Sequence, residues 1–359
     1  MKSKVYFIAV DEADNAVSIA DKLKRLLEDS RVLDFIQEKE NIAVKLHFGE
    51  EGNTGYVRPE YVRVICEGIL NKQAFCFLTD TNTLYRGRRT NSRDHLKLAY
   101  EHGFVPDKVK AQVIIPDDTL KTAVKEVGIN QKFIQKAFVA GIFLDSEGIV
   151  DVAHFKGHIM TGIAGAIKNI GMGCAARQGK LAQHSDVSPF VIRNNCVGCA
   201  ACELVCPVKA IVIKDKKSFV DSLKCIGCAS CIAACKYNAI EINWESGGKL
   251  IQEKMVEYAK AVLDQKKQKL ACLNFAIKIT KECDCLAKDD PRISPDVGIF
   301  ASKDPVAIDK ACLDKIISVC KKDVFREAHP KREGMRQLEY AQELGLGIMD
   351  YELMEVKLK

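Results

Sequence analysis

Residues 196–235 read CVGCAACELVCPVKAIVIKDKKSFVDSLKCIGCASCIAAC. The cysteines fall as Cys196-x2-Cys199-x2-Cys202-x3-Cys206-Pro207, and again as Cys225-x2-Cys228-x2-Cys231-x3-Cys235. Three thiolates at this spacing wrap one iron–sulfur cube from a tight loop. The fourth lies past the next turn, too far round for the same cube, and reaches the neighbouring one. The spacing therefore predicts two 4Fe–4S clusters, one held by Cys196, Cys199, Cys202 and Cys235, the other by Cys225, Cys228, Cys231 and Cys206. Zinc wants two cysteine pairs set apart by a longer spacer, and disulfides want an oxidising compartment that nothing here suggests. Gly198 and Gly227 recur at the same place in each run, where a backbone turning beside a cube has no room for a Cβ.

This stretch resembles the two-cluster domain of bacterial ferredoxins over about 55 residues. Lys236 stands in the second run where Pro207 stands in the first, and neither is a ligand.

The remaining chain is too long for a ferredoxin alone: 359 residues, 47% hydrophobic and 28% charged. A formal net charge of +6 is mild and spread along the chain, which argues against nucleic acid as a partner. Two clusters at about −2 each would bring the loaded protein closer to neutral. The opening MKSKVYFIAV reads as a first strand, since its apolar run is too short for a secretory signal and acidic residues follow at once. No stretch approaches the length of an apolar membrane span, so no membrane partner is expected. Sixteen cysteines point to a reducing cytoplasm.

On either side of the cysteine runs, strands alternate with helices. Residues 5–10, 42–48, 74–78 and 113–115 read as strands. Residues 14–29 carry apolar side chains at helical spacing, and Arg58-Pro59 opens a helix running to Leu70. The segment 133–152 offers two further apolar runs. After Ile242 the alternation resumes with a helix over 250–263, strands over 270–279 and 297–300, and a helix over 302–319 with Asp304 as N-cap and Pro305 at its first position. This predicts an α/β fold, a mostly parallel sheet with flanking helices, carrying an inserted small α+β ferredoxin-like domain. The division is 1–187 for the first part of the α/β domain, 188–243 for the insertion and 244–359 for the second part. No Gly/Ser linker isolates the insertion, so it is expected to pack firmly on its host. Polar residues stand where strands end, at His47, Asp80 and Asp117. In open α/β sheets the ligand crevice lies at such ends, although the same residues also cap turns.

Two further stretches carry chemistry. Residues 154–184, HFKGHIMTGIAGAIKNIGMGCAARQGKLAQH, hold His154, Lys156, His158, Lys168, Asn169, Cys174, Lys180 and His184 among dense glycines. Residues 163–170 read as a short helix whose N-terminus, with Thr161-Gly162, would offer backbone N–H groups to an anion. His154 and His158 would share a face if that piece were helical. Gly171-x-Gly173-x-x-Ala176 lacks the strand before it and the acidic residue after it that a dinucleotide fingerprint needs, and no Walker A sequence occurs. The second stretch is Cys283-Asp284-Cys285. Three readings of it stand: a metal site formed with His158 or His184, suited to zinc or iron; a low-pKa redox thiol; and a plain turn with two half-buried cysteines. Cys66, Cys76, Cys174, Cys272, Cys312 and Cys320 sit mostly in apolar runs as small core residues.

Taken in order, KLHFGEEGNTGYVRPEYV, LTDTNTLY, FKGH with AIKNIGMGCAARQGK, the cysteine runs, CDC and PDVGIFASKDPVAID resemble the iron–sulfur family catalogued as domain-of-unknown-function family 362. The resemblance implies an α/β domain with an inserted two-cluster ferredoxin and implies no substrate. It gives weight to Lys45, His47, Asp80, Lys156, His158, Lys168, Asn169, His184, Cys283, Cys285, Asp296, Asp304 and Asp309. Three functions follow as alternatives. In the first, a ferredoxin-dependent oxidoreductase binds an anionic substrate through Lys45, Lys156 and Lys168, and His158 or His184 moves protons. The second is an electron carrier docking a redox partner protein. The third is a metal or cofactor maturation factor in which Cys283, Cys285 and the histidines handle a further metal ion.

Overall fold

The computed structural model describes residues 2–117, 120, 123–184, 188–242, 248–266 and 268–358. The expected boundaries at 187/188 and 243/244 touch residues outside that set.

The first part of the chain builds half of the main sheet. Strand β1 (Ser3–Ala9) leads to helix α1 (Ala16–Ser30), where the Asn15 side chain accepts from the N–H groups of Val17 and Ser18 and Arg31 ends the helix in the left-handed region. Ile19, Leu23 and Leu26 fall on one face and are buried. Strand β2 (Asn41–Lys45) is followed by α2 (Pro59–Leu70), which starts at its proline because the missing N–H would be unpaired there anyway. Then come β3 (Phe75–Thr79), α3 (Ser92–Glu101), α4 (Pro106–Val109) and β4 (Gln112–Ile114). A hairpin, β5 (Val124–Gly128) and β6 (Lys136–Ala140), and α5 (Gly141–Asp145) precede β7 (Gly148–His154). A second hairpin, β8 (Lys156–His158) and β9 (Gly162–Ala164), leads to α6 (Ala166–Gly171) and α7 (Arg177–His184).

The cysteine-rich stretch follows as β10 (Phe190–Val191), α8 (Ala201–Leu204), β11 (Ile211–Lys214), β12 (Lys217–Val220), α9 (Ser230–Ala234) and β13 (Ile240–Glu241). The chain then returns to the main body with α10 (Lys249–Lys266), β14 (Leu270–Ala276), β15 (Gly298–Ser302), α11 (Pro305–Cys320), α12 (Val324–Ala328), α13 (Met335–Glu343) and β16 (Tyr351–Glu355). Asp304 caps α11 by accepting from Val306 and Ala307, with Pro305 at the first position.

The main sheet has eight strands in the order β16-β1-β15-β14-β7-β2-β3-β4. It is mostly parallel, and β15 is the strand that runs against both its neighbours. Every residue of β7 and β14 is buried, as a strand covered by helices on both faces requires. Alternation along β14 divides two cores. Leu270, Cys272 and Ala276 point to one side, with residues of α6, α10 and α11. Ala271, Leu273 and Phe275 point to the other, with residues of α1 and α2. Each fully buried Leu or Phe contributes about 1.5–3 kcal/mol, so these two layers dominate the stability of the body. No residue of 188–242 belongs to either core.

Two expectations are corrected. His154 and His158 do not share a helical face: His154 ends β7 and His158 ends β8. Helix α6 begins at Ala166, three residues later than expected, because Gly162–Ala164 pairs with β8. Its first N–H groups are not free for an anion, since Asp309 accepts from Ala166 N at 2.7 Å and Ile167 N at 3.0 Å.

Candidate functional site

The carboxyl ends of β2 and β3, the hairpin β8–β9, the helices α6 and α7 and the loop 283–286 close around a cavity of about 340 Å³. Its lining includes Lys45, His158, Lys168, His184 and Cys285, together with His47, Asp80 and Asn169. Residues more than 200 positions apart in sequence thus face one space. Asp117 does not line it.

Lys45 ends β2 fully buried. Its ammonium reaches Asn169 Oδ1 at 2.7 Å, Asp80 Oδ1 at 3.1 Å and Leu46 O at 3.2 Å. An ammonium has three N–H groups, so Lys45 has none left for a substrate and acts as a brace between β2, β3 and α6. Burial works to raise the Asp80 pKa, but the cations of Lys45 and Lys180 and the rings of His47 and His95 hold it well below the ordinary carboxylate value. Lys156 is likewise committed, donating to Asp284 Oδ2 at 2.8 Å, and it does not line the cavity.

Asp284 also meets His154 Nδ1 at 2.9 Å, while His154 Nε2 lies 2.9 Å from Ile277 O. Burial pushes the Asp284 carboxyl up, yet His154 and Lys156 hold it far below its ordinary value. This hydrogen-bonded triad pins the loop that carries the two thiols. Gly157 N donates to Thr280 O at 3.0 Å, which ties the β8–β9 hairpin to the same loop.

The result is a cluster in which one ligand atom each from His158, Cys283 and Cys285 lies within 4.8 Å of the others. The turn around Asp284 answers the objection that two thiols two apart point to opposite sides, because Leu286 N folds back to Cys283 O at 3.0 Å. His158 is oriented by Met160 and Thr161, whose N–H groups donate to its Nδ1 at 3.1 and 3.2 Å. Lys168 Nζ stands 3.9 Å from Cys283 Sγ. A hydrogen bond from Cys285, with Lys168 and Lys156 nearby, draws the Cys283 thiol well below its ordinary pKa against the effect of burial, and pushes Cys285 up. Burial and Lys168 lower His158 well below the usual imidazole value, and the same causes lower His184 to about 3. Burial and the nearby ammonium thus favour the neutral rings, the form that suits metal ligation, and move their titration away from the expected neutral range.

The remaining family-motif aspartates serve the fold. Asp296 accepts from Lys278 N at 2.6 Å, Asp304 caps α11, and Asp309 caps α6. Sequence reading missed Arg89 and Tyr85, which line the cavity. The buried Arg89 guanidinium meets Glu50 Oε2 at 3.0 Å and His47 Nε2 at 2.8 Å and donates to the Tyr85 hydroxyl. Its place in the run Arg86-Gly-Arg-Arg89 looks like solvated basic surface, so no local signal marks it.

Beside this crevice lie two small hollows. One is lined by Cys196, Cys199, Cys202 and Cys235; the other by Cys206, Cys225, Cys228 and Cys231. Gly198 and Gly227 both have φ of 68°, and Ala200 and Ala229 follow at 61° and 59°, so the two loops turn alike. Backbone N–H groups of Ser218, Ala239 and Ala210 donate to Cys196, Cys235 and Cys206 sulfurs at 3.3, 3.2 and 3.1 Å. The cysteine core includes Leu84 and Leu181, and Leu84 also lines the crevice. Arg86 donates to Lys236 O at 2.6 Å across the same seam.

The fold and site define a mixed α/β protein with a crevice at its strand ends and a cysteine-rich unit packed beside it. Residues 42–314 match the family described as Domain of unknown function (DUF362), and the chain belongs to that family. No curated protein matches it in sequence. Among solved structures it is similar to the lactate racemase apoprotein from Thermoanaerobacterium thermosaccharolyticum, with 14% identity and a TM-score of 0.45 over 87% of this chain and 57% of that one. It is also similar to a crystal structure of a protein from Thermotoga maritima, with 11% identity and a TM-score of 0.42 over 86% and 58%. The chain thus spans little more than half the length of either. Among the described residues, no helix is long and apolar enough to cross a membrane.

Proposed function

We propose that this protein is a cytoplasmic iron–sulfur oxidoreductase that delivers single electrons to a small anionic substrate in the crevice. The observation that carries the reading is the crossed grouping of the eight cysteines, three from one run and one from the other around each hollow. That is the donor set two 4Fe–4S clusters need, in an inserted ferredoxin-like domain. The fit extends to the backbone: left-handed glycines clear each loop, and N–H groups aim at ligand sulfur, which favours its anionic form. Such clusters supply one-electron transfer. Lys168, half-buried and facing the crevice, would hold the anion, with Arg89 and Lys180 adding positive field. His158 and His184, held uncharged by burial and Lys168, would face the substrate as neutral hydrogen-bonding rings. A carrier that only docks a redox partner has no use for a walled, cationic cavity, and this favours the enzyme.

The grouping of His158, Cys283 and Cys285 favours a second reading, a metal centre within the crevice, as in a metal-assisted reductase or a maturation factor. Metal and acid-labile sulfide analysis of anaerobically purified protein, beside a Cys283→Ser, Cys285→Ser double variant, tests both. About eight irons per chain, unchanged in the variant, fits the metal-free reductase. One further metal, lost in the variant, makes the crevice a metal centre. Protein without iron and sulfide sinks the oxidoreductase reading.

A further inference from the structure

The two cysteine loops are alike in conformation but not in surroundings. The second loop leans on the host: Ile226 O accepts from Gln178 Nε2 of α7 at 3.3 Å, and a Cβ on Gly227 would lie 3.5 Å from Leu181 Cδ2. Helix α7 also carries Lys180 and His184 into the crevice. In the first loop the neighbour is the unit itself, where Gly198 packs against the backbone of Lys216 in the β11–β12 turn. It faces outward: Cys199 is exposed, and Val197 and Tyr237, which line the same hollow, are 54% and 49% exposed.

Basic residues flank that first hollow on its β11–β12 side. Lys214 and Lys216 are exposed on the β11–β12 hairpin. Lys217 Nζ binds Cys196 O at 2.6 Å and Arg193 O at 2.9 Å, and the Arg193 guanidinium lies 4.8 Å from the Phe219 ring centre. Asp215 is the acidic residue among these four cations. A small apolar centre, Val197 and Tyr237, flanked by positive charge beside an exposed ligand cysteine, is the form of a docking face for an anionic partner.

We infer that electrons arrive through this face, from a small acidic one-electron carrier protein seated over Cys199 and flanked by Arg193, Lys214, Lys216 and Lys217, and leave from the Cys225–Cys228 loop toward the crevice. The inference rests on the cluster-binding reading above. In the step itself one electron leaves the reduced carrier, which is oxidised. It enters the group held by Cys196, Cys199, Cys202 and Cys235, which is reduced. No bond forms or breaks and no proton moves.

The test compares two charge reversals of equal size in the loaded protein, Lys216→Glu beside the first loop and Lys224→Glu beside the second loop. Both side chains are exposed and neither is a ligand. Binding of an acidic bacterial ferredoxin is measured anaerobically by calorimetry at low and high salt, and its rate of electron delivery by stopped-flow. At low salt Lys216→Glu is expected to weaken binding and slow delivery about five- to tenfold, Lys224→Glu less than twofold, and high salt to erase the difference. Reduction by methyl viologen radical, a small cation, is expected not to slow in either variant. Equal losses in the two variants, no loss in Lys216→Glu, or no binding by the parent protein would each overturn the docking face. Iron and sulfide are assayed on the same samples: their absence counts against cluster binding itself, and a loaded protein without the Lys216 effect counts only against the face.

Discussion

Asp309 shows how a single side chain sets the floor of the crevice. It is buried on α11 and receives three donors: Ala166 N and Ile167 N at the start of α6, and Asn274 Nδ2 of β14 at 2.7 Å. Burial raises its pKa to about 6, with the three hydrogen bonds pulling the other way. The unfolded chain titrates this group near 3.9, so the folded chain binds the proton more tightly. The contribution of Asp309 to stability is therefore full at low pH and is lost as pH rises from about 4 to about 6. Replacing it with Ala strands three buried donors, at a cost of about 3 kcal/mol or more. Because the wild-type advantage shrinks with pH, the cost of Asp309→Ala should be about 1 kcal/mol larger at pH 5 than at pH 7.5. Urea unfolding of both proteins at the two pH values checks this. A cost that is the same at both, or larger at pH 7.5, would show that the carboxyl is not held in its protonated form by burial.

At the scale of elements, the β8–β9 hairpin decides whether His158 meets the thiols. Gly157 is the tight point, since a Cβ there would sit 2.2 Å from the carbonyl oxygen of Lys281. That neighbour is backbone, so the hairpin and the thiol loop must part. Gly157→Ala should cost about 1–3 kcal/mol in stability. It should also cut the affinity for Co(II), a spectroscopic probe of thiolate–imidazole sites, by at least tenfold. Retained thiolate-to-cobalt absorption in the variant would show that the three groups do not act together. The same region marks where local sequence stopped being informative. The start signals of helices α2 and α11 were legible, because Pro59, Asp304 and Pro305 carry them within one turn. The start of α6 was not, because its cap, Asp309, lies 143 residues away and Gly-Ile-Ala-Gly fits a helix or a hairpin equally well. The crevice side chains Lys45, His158, Lys168, His184 and Cys285 could be named in advance from residue type and placement. That Lys45 and Lys156 are spent on Asn169, Asp80 and Asp284 needed the tertiary pairing. Arg89 gave no sign at all, since a buried guanidinium and a solvated one look alike in a run of arginines.

At the scale of the whole molecule, the cysteine-rich unit is attached in a way that leaves the host's sheet and cores complete without it. Its first and last strands pair, Phe190 opposite Glu241 and Val191 opposite Ile240, so the chain leaves the host and returns at nearly the same point. Paired residues stand about 5 Å apart, a gap that four Gly/Ser residues bridge easily. Neither core of the host takes a side chain from the unit, and the eight-stranded sheet is complete without it. What removal costs is the cover over Leu84 and Leu181, about 1.5–3 kcal/mol for each fully exposed leucine, and the bonds from Arg86 and Gln178 across the seam. A variant with 189–242 replaced by such a linker and both leucines changed to Ser should therefore keep the far-ultraviolet dichroism of the body and unfold in one cooperative step. It should carry no iron and still bind Co(II) through Cys283 and Cys285. A broad, non-cooperative transition would mean that the unit and its host fold as one. In that case the contacts around Leu84 and Leu181 hold the body together as well as joining the unit to it.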